Sequence, residues 1–142
     1  MVFCRRGIFF VSGGLLVLAG SLEAQVFSFN HPNFSSCTGL QLNGSAACTG
    51  GVLRLTPVAS SQIGSAFLTT PVPISPTTTF AAEFTIQMGL NGVSSCSDDL
   101  LSWGADGMTF TVQSQGPTAL GGLGGGMGYL GIAPSLGVKI DV

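Results

Sequence analysis

The amino-acid sequence predicts an all-β fold, and three observations carry that prediction. From Thr78 to Met88 the chain alternates strictly, with Phe80, Ala82, Phe84, Ile86 and Met88 on one face and Thr79, Ala81, Glu83, Thr85 and Gln87 on the other. A period of two is the mark of a half-buried strand. The same period returns at Met108, Phe110 and Val112 against Thr109, Thr111 and Gln113. Beyond the first residues no window keeps a helical apolar repeat, and 22 Gly with 7 Pro interrupt the chain too often for long helices.

The first segment is expected to lie outside that fold. Arg5 and Arg6 precede an uncharged, mostly apolar run from Gly7 to Leu22, and Ala24 stands at a cleavage position. That order reads as a secretion signal, and the run is short for a membrane span, which needs about 20 apolar residues. Residues 1–24 are therefore expected to be removed, giving a mature chain from Gln25 that is secreted, periplasmic or held at the cell surface. Every later apolar stretch is broken by Gly, Pro, Ser or Thr, so no membrane span is expected after cleavage.

Shorter strands follow at Val26–Phe29, Gly39–Leu42, Val52–Leu55, Ser65–Thr69 and Gly137–Asp141. Strands of this length joined by Gly, Ser and Asn turns pack as two antiparallel sheets face to face. Pro71, Pro73 and Pro76 mark an edge or a crossing loop. The last strand runs to the final residues without a closing turn, so the domain is expected to continue past Val142 and the chain to be a fragment.

Charge is sparse. Past the leader the charged side chains are Arg54 and Lys139 against Glu83, Asp98, Asp99, Asp106 and Asp141. No basic face exists to neutralise phosphates, which argues against nucleic acid as a partner. Solubility then rests on Ser, Thr, Asn and Gln.

Cys37, Cys48 and Cys96 remain after cleavage, in a chain bound for a compartment where disulfides persist. Cys37 and Cys48 bracket a Gly-rich stretch and are the first choice for a bridge. Cys96 is left free or pairs with a cysteine this chain lacks. Without a Cys-x-x-Cys pair, and with His31 as the single histidine, no zinc site is expected.

Catalysis finds few candidates. A serine triad needs a histidine base beside its nucleophile; His31 stands next to Pro32 in a predicted surface loop, and no Gly-x-Ser-x-Gly elbow is present. Glycoside hydrolysis needs two carboxylates about 5–10 Å apart, and Glu83 reads as a residue on the solvated face of its strand. The chain is expected not to be an enzyme. Asp98-Asp99 offer oxygen ligands for a hard cation such as calcium, although two adjacent carboxylates alone are more often simply solvated.

Binding finds better ones. The run Gly121 to Gly131 contains Gly126-x-Gly128-x-x-Gly131, formally a dinucleotide fingerprint, but Pro134 and a strand follow where that motif requires a helix. What these glycines supply is accessible backbone N–H and close approach, which suit a neutral polyol. Asp106, between Ala105 and Gly107 and directly before an alternating strand, offers a carboxylate that accepts two hydrogen bonds from vicinal hydroxyls. Trp103 adds an apolar face for a sugar ring. The plain alternative is that Asp106 is an ordinary turn residue.

Taken in order, these segments resemble the legume-type (L-type) lectin domain. The matching segments are Val26-Phe27-Ser28-Phe29-Asn30, Leu53-Arg54-Leu55-Thr56, Gly64-Ser65-Ala66-Phe67, the strand Phe80 to Gln87, Ala105-Asp106-Gly107-Met108-Thr109-Phe110, the loop Gly121 to Gly131, and Val138 to Asp141. The resemblance spans nearly all of residues 25–142. It implies an incomplete concanavalin A-like antiparallel β-sandwich of jelly-roll type that binds a saccharide or glycoconjugate, with calcium as the expected cofactor. It also implies that Asp106 holds the sugar after a cis Ala105-Asp106 peptide, helped by backbone N–H at Gly125 and Gly126, and that Asp141 is a calcium ligand. At Lys139 the family carries a glutamate, so the transition-metal site is expected to be lost. A secreted structural or adhesive β-sandwich without a working sugar site is the alternative. The triplets Asn33-Phe34-Ser35 and Asn43-Gly44-Ser45 are N-glycosylation sequons, of consequence in a glycosylating host.

Overall fold

Side-chain alternation and glycine turns build nearly everything that the computed structural model describes, which is residues 27–88 and 106–141 together with the backbone of residues 2–11. Nine strands run in the order β1 (Val2–Val11), β2 (Phe27–His31), β3 (Leu40–Gly44), β4 (Ala47–Thr49), β5 (Val52–Arg54), β6 (Gly64–Leu68), β7 (Ala81–Gln87), β8 (Gly107–Gln113) and β9 (Ser135–Asp141). A single 3-10 turn at Gly124–Gly126 is the helical element among the described residues. The described residues are mostly β-strand with almost no helix, in line with the all-β class that the periodicity predicts.

The strands form three antiparallel groups. A five-stranded sheet has the order β2-β1-β5-β4, with β7 on β1 as well, while β3 pairs β6 and β8 pairs β9. Strand β1 lies within the expected leader. Its residues 7–11 pair with β2, and residues 7–10 pair on the other edge with β7.

Strand β7 shows how the pattern works. Ala81, Glu83, Thr85 and Gln87 are exposed, and Ala82, Phe84 and Ile86 turn inward. The predicted strand was longer, but Phe80, beyond the ladder, is 36% exposed. Strand β8 buries Met108, and Phe110 stacks on Phe84 of β7 with ring centroids 5.7 Å apart. Strand β9 starts earlier than its sequence implied, because Ser135 and Leu136 continue the ladder opposite Gln113 and Val112.

Strand β5 falls on the expected strand Val52–Leu55, but β4 and the hairpin that joins the two were not anticipated. Gly50 (φ 59°) and Gly51 (φ 75°) occupy its two turn positions. Positive φ at both central residues is the requirement of the tight hairpin turn whose twist matches that of the strands. The Gly-Gly pair was the available signal.

The three groups share one core. Phe34, Leu53 and Met108 are buried together, and Leu40, Leu42, Ala66, Phe84, Ile86 and Ile140 pack against them. Each group contributes apolar side chains to that cluster, so the groups are held by common burial. A disulfide joins Cys37 to Cys48 with Cα atoms 5.9 Å apart, tying the loop before β3 to β4.

Candidate functional site

The glycine-rich loop is fixed first at its ends. Ala119 and Ile132 are 8% and 5% exposed, so both ends of the loop plug into the interior. Asn43 of β3 and Ser65 of β6 then grip the approach to the loop. Asn43 Nδ2 donates to Ser65 Oγ (2.9 Å) and to the Pro117 carbonyl (2.9 Å), and Ser65 Oγ donates to the Ala119 carbonyl (2.7 Å). Sequence reasoning did not single out Asn43 or Ser65 for this role. Their partners at residues 117 and 119 lie more than fifty residues away, and nothing local announces them.

Inside the loop the backbone closes on itself. Gly121 N–H donates to Gly128 O (3.0 Å), Gly122 N–H to Leu130 O (2.8 Å) and Gly128 N–H to Gly122 O (2.9 Å). The 3-10 turn is closed by Gly126 N–H to Leu123 O (3.2 Å) and Met127 N–H to Gly124 O (2.8 Å). Gly126 is thus buried with its N–H committed, whereas Gly125 is exposed and a Cβ there would meet no atom within 4 Å. Of the two glycines named from sequence, Gly125 faces the open side.

The loop lies over the polar face of β8–β9, where two glycines make room for it. A Cβ on Gly107 (φ 131°) would strike the Ile140 carbonyl and come within 2.9 Å of Met127 Sδ. On β9, a Cβ on Gly137 would sit 3.6 Å from the Tyr129 ring. Met127 and Tyr129 therefore pack down onto the strand pair at Gly107 and Gly137; a side chain at Gly107 would collide with the Ile140 carbonyl and with Met127, and one at Gly137 would press on Thr109 Cγ2, 3.0 Å away.

This packing brings the loop to Asp106. Asp106 is half-buried, and a Cβ on Gly124 would lie 4.0 Å from its Oδ2. A carboxylate that accepts hydrogen bonds thus borders the Gly124 end of the turn, and the N–H groups of Gly124 and Gly125 are not among the bonds that close it. Tyr129 adds an aromatic ring on the same loop. Ala105, and with it the expected cis peptide, lies outside the described residues, as do Cys96, Asp98, Asp99 and Trp103.

Asp141 stands one ladder position from Asp106, since Gly107 pairs with Asp141. Its side chain is 69% exposed and lies 3.9 Å from Lys139 Nζ. Calcium takes six to eight oxygen ligands, and among the described residues no group of three or more His, Cys, Asp or Glu side chains converges. Among the described residues no helix is long and apolar enough to cross a membrane. No family model matches this chain, and no solved structure matches it at a significant level.

Proposed function

We propose that the chain is the sugar-binding part of an exported, non-catalytic L-type lectin-like domain with a concanavalin A-like sandwich fold. The observation that carries this reading is the Asp106 carboxylate set against the Gly124-Gly125 turn. Vicinal hydroxyls of a saccharide donate to the two Asp106 oxygens, while backbone N–H at Gly125 donates to a sugar oxygen. Hydrogen bonds to a charged acceptor contribute about 1.5–3 kcal/mol each. The sparse charge of the chain agrees with a neutral ligand. Calcium assistance through Asp141 is a further part of the proposal.

A second reading is favoured by the contact between Lys139 and Asp141. An ammonium group beside Asp141 opposes a cation there, which suits a structural or adhesive β-sandwich that has given up the sugar site. One experiment separates the two. Binding of the wild-type chain and of Asp106→Ala to a glycan array is measured with and without calcium. The lectin reading expects affinity to fall at least roughly ten- to a hundredfold in the variant, the equivalent of one such hydrogen bond. Equal signals from both proteins would remove Asp106 from the site, and no signal from either would leave the structural reading.

A further inference from the structure

The two Asn-x-Ser triplets are alike in sequence and opposite in structure. Asn33 and Ser35 are both exposed, while Phe34 between them is 2% exposed. Burial of Phe34 pins the segment: its N–H donates to Gly51 O (3.3 Å), its ring stacks on His31, and the Cys37–Cys48 disulfide holds the chain just beyond. With Phe34 inward, its neighbours on both sides face solvent. Asn33 Oδ1 accepts from Ser35 N–H (3.2 Å) and from Ser35 Oγ (2.7 Å). Both bonds engage the amide oxygen, so the amide nitrogen is left directed at solvent with no partner among the described residues.

Asn43 is the reverse. Its Nδ2 carries two N–H groups, and it is within bonding distance of Ser65 Oγ (2.9 Å), Pro117 O (2.9 Å) and Ala119 O (3.4 Å). The hydroxyl of its sequon is also spent, since Ser45 Oγ donates to Gln62 Oε1 (2.6 Å). A substituent on this nitrogen would displace the interior acceptors and leave carbonyls unpaired in a half-buried place, at a cost of about 1–3 kcal/mol per group.

The structure assigns Asn33 as an acceptor site for an N-linked glycan, and Asn43 as a structural residue barred from the same modification. In the transfer, Nδ2 of Asn33 attacks the anomeric carbon of a lipid-linked pyrophosphoryl oligosaccharide. A carbon–nitrogen bond forms, the bond from that carbon to the phosphate oxygen breaks, the lipid pyrophosphate leaves, and a proton passes from Nδ2 to a base of the transferase. The glycan would stand on the loop after β2, anchored by a residue whose neighbour is locked in the core. The proposal does not depend on the sugar-binding reading, and Asp106→Ala is expected to leave it unchanged.

The test uses the folded full chain, a purified oligosaccharyltransferase and its lipid-linked donor, with an unrelated sequon peptide modified in parallel. Site-resolved mass spectrometry is expected to find the glycan on Asn33 and none on Asn43. Ser35→Ala should abolish the mass increment, and Ser35→Thr should restore it. Modification of the control peptide without modification of Asn33 overturns the proposal, and so does a glycan on Asn43 of the folded chain.

Discussion

Asp106 Oδ2 lies 4.0 Å from the place where a Cβ on Gly124 would stand, which makes Gly124 the point where the loop meets the carboxylate. Gly124 has φ of 63°, whereas Gly125 next to it has open space at its Cβ. The two therefore separate fold from binding. Gly124→Ala forces a left-handed backbone on a side-chain-bearing residue and should cost about 1–2 kcal/mol of stability. Gly125→Ala should change stability by less than about 0.5 kcal/mol, yet its methyl enters the space a sugar would occupy. Chemical denaturation and glycan binding measured on both variants check the split. If Gly125→Ala binds saccharide as the wild type does, the open side of the turn is not the site.

The grip of Asn43 and Ser65 on residues 117–119 should be a stability term. Asn43→Ala leaves the Pro117 carbonyl without its donor, and Ser65→Ala leaves the Ala119 carbonyl only its longer contact with Asn43 Nδ2 (3.4 Å). Each substitution is expected to cost about 1–3 kcal/mol. Because Asn43 also bonds Ser65, the double variant should lose less than the sum of the two. A double-mutant cycle by denaturant unfolding decides this, and simple additivity would show that the two side chains act independently.

The Cys37–Cys48 bridge closes a loop with a sequence separation of 11. Restricting the unfolded chain by a loop of this size contributes about 3 kcal/mol. Cys37→Ser with Cys48→Ser should lower stability by that order, and reductant should do the same to the wild type but not to the variant. Thermal unfolding with and without reductant provides the comparison. An unchanged midpoint would mean that burial of Phe34 and Leu53 alone holds this corner.

Much of the fold was legible in local pattern. Strand β7 was readable because every second residue from Ala82 to Ile86 is apolar, and β8 because Met108, Phe110 and Val112 repeat the period. The pair Cys37 and Cys48 stood out because the chain turns between them through glycine. The strand Val52–Leu55 was read, but its partner β4 and the hairpin between them were missed although Gly50-Gly51 announced the turn, since Ala47-Cys48-Thr49 carries no apolar–polar alternation. The candidate site was legible only in part. Asp106 and the glycines were visible as residue types, but Gly126 is occupied by its bond to Leu123 while Gly125 is exposed, a distinction that two adjacent identical residues cannot express in sequence.

By itself, then, the sequence determined the β class, the inward faces of β7 and β8 and the residue types that suit a polyol, because side-chain period and backbone freedom are local properties. Tertiary structure decided which of the two sequons is free, which glycine faces outward and that the loop lies beside Asp106. Those outcomes depend on contacts such as Asn43 with Pro117, 74 residues apart, and on the space left at Gly107 and Gly137 for Met127 and Tyr129. Partners so distant along the chain are chosen by shared burial and by the requirement that buried polar groups be paired, and these operate only once the strands have come together.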